Sequence, residues 1–79
     1  MELLVKQVVL KTYDLNPDGI RIVIKWDAVV VGSSFFVPCV NTHKAVQQIN
    51  KIVKNRGWQV HTKTRIEDNK LGVRMWRTV

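Results

Sequence analysis

Apolar residues recur along this chain with two different periods, and the change of period marks out its elements. From Ile20 to Trp26 the residues Ile20, Ile22, Ile24 and Trp26 alternate with Arg21, Val23 and Lys25, the period of a strand with one face in a core and the other mostly wet. An earlier stretch, Leu3 to Tyr13, has strand composition in Val5, Val8, Val9 and Leu10 but only partial alternation. Between the two, Asn16-Pro17-Asp18-Gly19 supplies turn chemistry: proline presets φ, aspartate bonds local backbone and glycine tolerates positive φ. A hairpin is predicted there. After Asp27, Val29-Val30-Val31 and Phe35-Phe36-Val37 flank Gly32-Ser33-Ser34 and end at Pro38, which predicts a third strand bent or interrupted at Gly32.

The period then lengthens. Ala45, Val46, Ile49, Ile52 and Val53 form one apolar stripe at helical spacing, which predicts a helix over Thr42 to Arg56, with Asn41 or Thr42 as N-cap and Gly57 just past its end. Its opposite face carries Lys44, Gln47, Gln48, Lys51 and Lys54 with no acid. From Trp58 onward the pattern is a closing hairpin, strands near 58–66 and 73–78 joined by Glu67 to Gly72. Together these elements predict one α+β domain over residues 1–79: an antiparallel sheet of four to five strands with one helix packed on it, in the order β-β-β-α-β-β.

In the closing hairpin, Trp58, Val60, Thr62, Thr64 and Ile66 share one face, and Gln59, His61, Lys63 and Arg65 share the other. If Val73 and Met75 face the core, antiparallel pairing sets Lys63, Arg65, Arg74 and Trp76 on a common outward face. A slip of one residue would instead carry Trp76 into the core and turn Arg77 outward. Trp26 and Trp58 fall on core faces. Phe35 and Phe36 point to opposite faces unless the chain bends, so one is expected in the core and the other against a partner chain, which makes a homodimer one expectation.

Charge gives that face its interest. Residues 1–40 hold four basic and four acidic side chains, whereas residues 41–79 hold nine basic against Glu67 and Asp68, so the whole net charge of +7 lies in the second half. A field of one sign draws polyanions from about a Debye length away. Lysine and arginine neutralise phosphates, arginine adds planar bidentate contacts, and an aromatic such as Trp76 stacks on an unpaired base. The candidate nucleic-acid contacts, to DNA or RNA, are Lys63, Arg65, Arg74, Trp76 and Arg77, flanked by Lys51 and Lys54. Charges on the wet face of a hairpin also serve solubility alone.

With 46% hydrophobic and 24% charged residues the composition is that of a folded domain rather than a disordered chain. No apolar run approaches the roughly 18–20 residues that span a bilayer, and no small-residue cleavage site follows the start, so a cytoplasmic protein is expected. Cys39 is the lone cysteine and makes no intrachain disulfide. With His43 and His61 it lacks the paired spacing of a zinc site, so no metal and no cofactor are expected. No nucleophile triad, phosphate loop or H-E-x-x-H occurs, and catalysis is not expected.

The segments Val31-Gly32-Ser33-Ser34-Phe35-Phe36-Val37-Pro38 and Gly72-Val73-Arg74-Met75-Trp76-Arg77 resemble those of small, mostly uncharacterised bacteriophage-encoded proteins, in which G-x-S-F-F-V-P precedes a helix and a C-terminal G-x-R-x-W-R. The resemblance covers about residues 31–78, with Ser33 where many relatives have an acid. It implies a phage accessory protein in the cytoplasm of an infected bacterium; with the basic hairpin, the expectation is a non-catalytic nucleic-acid-binding regulator or DNA-packaging accessory. The alternative is a phage protein that binds and inhibits or redirects a host protein such as a polymerase or defence enzyme; a small virion component is a third reading.

Overall fold

The apolar stripe between Thr42 and Arg56 forms the helix, α1, in a computed structural model that describes residues 14–79. Ala45, Ile49, Ile52 and Val53 are its buried residues. At its start the Asn41 side chain accepts a hydrogen bond from the Lys44 N–H at 3.1 Å, satisfying one donor the first turn leaves open. At its end Gly57 takes φ 74°, its N–H donates to the Lys54 carbonyl, and the Trp58 N–H reaches back to Val53 at 3.0 Å. That pair of bonds is a Schellman stop.

Three strands accompany it: β1 (Ser34–Pro38), β2 (Val60–Glu67) and β3 (Lys70–Arg77). They form an antiparallel sheet in the order β1-β3-β2. β1 and β2 therefore run parallel with β3 between them, a split β-α-β arrangement. The register couples Val37 to Val73 and Phe35 to Met75 across β1 and β3. Val37, Val73 and Met75 are fully buried in one cluster with Ala45 and Ile49 of the helix. Burying such aliphatic side chains stabilises by about 1.5–3 kcal/mol each.

The two motif segments, far apart in sequence, are thus neighbouring strands. Gly72 is why they fit. Its φ is not left-handed, but a Cβ there would meet the Val37 carbonyl, Phe36 Cζ at 2.6 Å and Pro38 Cα at 2.8 Å. The Phe36 ring takes the room that a side chain would need.

Several expectations need correction. The described residues hold one helix and three strands in the order β-α-β-β, not four to five strands in the order β-β-β-α-β-β. The strand predicted over Leu3–Tyr13 lies outside them. Over 20–26 only a single bridge forms, Leu15 with Ile22. Ile22, Ile24 and Trp26 do lean into the core, whereas Ile20, on the same predicted face, is exposed beside the turn; beyond that bridge no ladder partner along this stretch is present among the described residues. A 3₁₀ turn, Trp26–Ala28, follows. The third strand begins only at Ser34, because Gly32 at φ 88° completes a turn in which Ser33 N–H and Oγ both donate to the Val30 carbonyl.

The Asn16–Gly19 turn joins the antiparallel Leu15–Ile22 bridge, its Gly19 N–H donating to the Asn16 carbonyl at 3.0 Å, and its side chains reach further. Asp18 accepts hydrogen bonds from the N–H groups of Val40 and Asn41, each at 2.8 Å. Asn16 and Gln48 exchange two more, at 2.9 and 2.6 Å. The turn is thereby fastened to the helix and the loop before it. The hydrogen bond from Asn41, then that from Val40, holds the Asp18 carboxyl below its usual range. Among the described residues, no helix is long and apolar enough to cross a membrane.

Candidate nucleic-acid interface

A two-residue turn decides what the outer face of the sheet presents. Asp68 and Asn69 both adopt positive φ, 52° and 64°, as a tight turn joining right-twisted strands requires. Aspartate and asparagine are the side chains best suited to that region after glycine. The connection predicted as Glu67 to Gly72 therefore shrinks to two residues, and the strands lengthen into it.

The resulting register pairs His61 with Trp76, Lys63 with Arg74, Arg65 with Gly72 and Glu67 with Lys70. On the other side of β3, Ser34 lies opposite Trp76 and Phe36 opposite Arg74. Because α1 packs on the face that holds Val37, Val73 and Met75, all of these point away from the helix. Lys63, Arg65, Arg74 and Trp76 are thus brought together on one face, and the one-residue slip is excluded. Lys70 and His61 join them. Four cations against Glu67 leave this face a net +3.

The cations are not equivalent. Arg74 grips Glu67 with both prongs, Nε to Oε2 at 2.7 Å and Nη2 to Oε1 at 2.6 Å, and donates from Nη1 to Ser34 Oγ at 2.8 Å. Its guanidinium also sits over the Phe36 ring. Arg65 lies 3.2 Å from the same carboxylate. The Arg74 hydrogen bonds, then the charges of Arg74 and Arg65, keep the Glu67 carboxyl below its usual range, and the hydrogen bonds to Glu67 with its negative charge hold Arg74 more firmly protonated. Lys63 and Lys70 are exposed. Trp76 is half-buried, tilted 36° against His61 with ring centres 5.6 Å apart, while the small Ser34 stands at its other side.

The remaining candidates lie elsewhere. Arg77 is on the helix face, opposite Val60. It stacks 3.9 Å over Trp58 and donates to the carbonyls of Val29 at 2.7 Å and Val79 at 2.9 Å. Its backbone completes the clasp, Gly32 N–H to the Arg77 carbonyl and Arg77 N–H to Ser33. The last arginine of the motif therefore locks the 29–33 loop to the sheet. Lys51 and Lys54 are exposed on α1, with the sheet between them and the outer face.

Phe35 meets Trp26 edge-on at 5.6 Å, and Phe36 is half-buried between Gly72 and Arg74. Both rings have neighbours within the chain, so the pair no longer calls for a partner chain. Burial, with a smaller push from the Asp18 charge, raises the Cys39 thiol above its usual range, which keeps it protonated and a poor nucleophile at neutral pH. Among the described residues no cluster of His, Cys, Asp or Glu could hold a metal ion. An open cavity of about 580 Å³ beside Trp26, walled in part by Asp14, Asp27 and Arg56, shares no residue with the outer face.

His61 was legible from its parity with Lys63 and Arg65. Lys70 and Glu67 were not, since the sequence pattern places both in the turn. Comparison of the chain with family models, with curated proteins and with solved structures returned no match.

Proposed function

We propose that this is a non-catalytic nucleic-acid-binding protein, an accessory or regulatory factor of the bacteriophage kind its two motif segments resemble, acting in the host cytoplasm through the outer face of its sheet. The supporting observation is the register that gathers Lys63, Arg65, Lys70, Arg74 and Trp76 on the face turned away from the helix. Lys63, Arg65 and Lys70 carry the phosphate contacts. Arg74 acts mainly as the brace that fixes Glu67, Ser34 and Phe36 around them.

Titration of the protein against labelled DNA and RNA, each single- and double-stranded, at low and high salt tests this. Binding is expected to weaken with a log–log slope of roughly −0.7 per phosphate neutralised on a single strand, or −0.9 on duplex. No binding at low salt, together with stoichiometric retention of one host protein from nuclease-treated lysate, would replace this reading with that of a host-protein ligand.

A further inference from the structure

We infer that the outer face takes an unpaired nucleic-acid strand, with one base stacked on the Trp76–His61 pair and the flanking phosphates on Lys63 and Arg65. The inference rests on the nucleic-acid reading above and narrows it.

The first ground is width. A major groove of about 12 Å admits a helix or a two-stranded ribbon. β3, which carries Trp76, is the central strand: β1 flanks it on one side, β2 on the other, and α1 lies behind. The ribbon is embedded in a three-stranded wall, so Trp76 and Arg74 sit mid-sheet rather than at the tip of a free ribbon. Such a surface suits bases already out of their stack.

The second ground is the arrangement around Trp76. His61 lies tilted at one flank of the indole, 5.6 Å away, and at the other Ser34 is too small to cover it. Along β2, His61, Lys63 and Arg65 follow at every second position on this face, a spacing of about 6.6–6.8 Å per step. Stacking position and cations thus lie in one line, as a strand laid along β2 would need them. The third ground is what the face leaves free. Its carboxylate, Glu67, and its hydroxyl, Ser34, are both engaged by Arg74. Glu67, whose oxygens already accept from Arg74 and face Arg65, is not set to select for a 2′-hydroxyl, so DNA and RNA strands are taken alike.

The test uses four probes at one low salt concentration: oligothymidylate, oligouridylate, oligothymidylate annealed to oligoadenylate, and inorganic polyphosphate, which offers charge without bases. Wild-type protein is expected to bind the two single strands with similar affinity and more tightly than the duplex or polyphosphate. Strand binding should also quench the Trp76 part of the intrinsic fluorescence. Trp76→Ala should weaken strand binding roughly 5- to 150-fold, as loss of one stacked base does, and leave polyphosphate binding unchanged. Trp76→Phe, which keeps a ring, should retain most of the affinity while losing that quench. His61→Ala, on the edge strand, gives a second reading independent of any packing loss at Trp76. Duplex bound as tightly as single strand, or Trp76→Ala and His61→Ala both without effect on strands, overturns the inference while the broader reading stands. No binding to any probe overturns both.

Discussion

Replacing Gly72 by alanine is the sharpest perturbation of the architecture, because the added atom has nowhere to go. Its Cβ would come within 2.6 Å of Phe36 Cζ and 2.8 Å of Pro38 Cα, where carbon atoms normally rest about 3.5–4.0 Å apart. It would come nearer still to the Val37 carbonyl, and that obstacle is backbone, so a rotamer change cannot relieve it. The strands must part by about 1 Å at the Pro38 end. There the Cys39 N–H to Leu71 carbonyl bond, 2.9 Å long, is the first to suffer. Overpacking costs about 1–3 kcal/mol and a strained ladder bond about 1 kcal/mol. The reduced freedom of the unfolded alanine chain returns about 0.4–1 kcal/mol. The net loss, about 1–3.5 kcal/mol, is a sizeable part of the roughly 4–12 kcal/mol expected for a chain this short. Thermal melting followed by circular dichroism should show Tm lower by roughly 5–25 °C. Phe36→Ala in the same chain removes the ring but not the carbonyl, so it should not restore the loss. A Gly72→Ala protein melting within about 2 °C of the parent would refute the close approach of β1 and β3.

Arg77→Lys keeps the charge but loses the fork that holds Val29, Val79 and Trp58; urea denaturation should register a loss of about 1–3 kcal/mol with nucleic-acid affinity unchanged. Asp18 has a folded-state pKa below its ordinary value, so its stabilisation is complete above the ordinary carboxylate range and is lost as pH falls through the depressed value. The urea midpoint of the wild type should therefore fall more steeply between neutrality and about pH 3 than that of Asp18→Asn. Glu67→Gln frees Arg74 and Arg65 from their shared carboxylate and raises the net charge of the outer face to +4; an oligothymidylate titration should show tighter binding and a log–log slope steeper by up to about 0.7.

Local signals carried much of this fold into view. The helix was legible to the residue because its apolar spacing, the Asn41 cap and the Gly57 stop all agree. The facing of the last strand stays open in the sequence, where a one-residue slip exchanges Trp76 and Arg77; pairing with both β1 and β2 settles it. The hairpin turn was misplaced because Gly72 looks like punctuation, whereas its lack of a side chain makes room for Phe36, a partner distant in sequence. For the same reason Glu67 reads in the sequence as a loop acid. The Ile20–Trp26 alternation recorded three of the side chains that reach the core, Ile22, Ile24 and Trp26, but not the exposure of Ile20, and a ladder depends on a neighbour that periodicity alone does not name. Arg77 was grouped with Arg74 by composition; the pleat sends it to the opposite face, where it binds carbonyls rather than solvent.

Reversing the charges of Lys63 and Arg65 together tests the central claim most directly. Both are exposed, and the change takes the outer face from +3 to −1 without touching Arg74. In a low-salt oligothymidylate titration the Lys63→Glu, Arg65→Glu protein, folded by its circular dichroism spectrum, should show binding all but abolished. The same affinity and the same salt dependence as the parent would contradict the account.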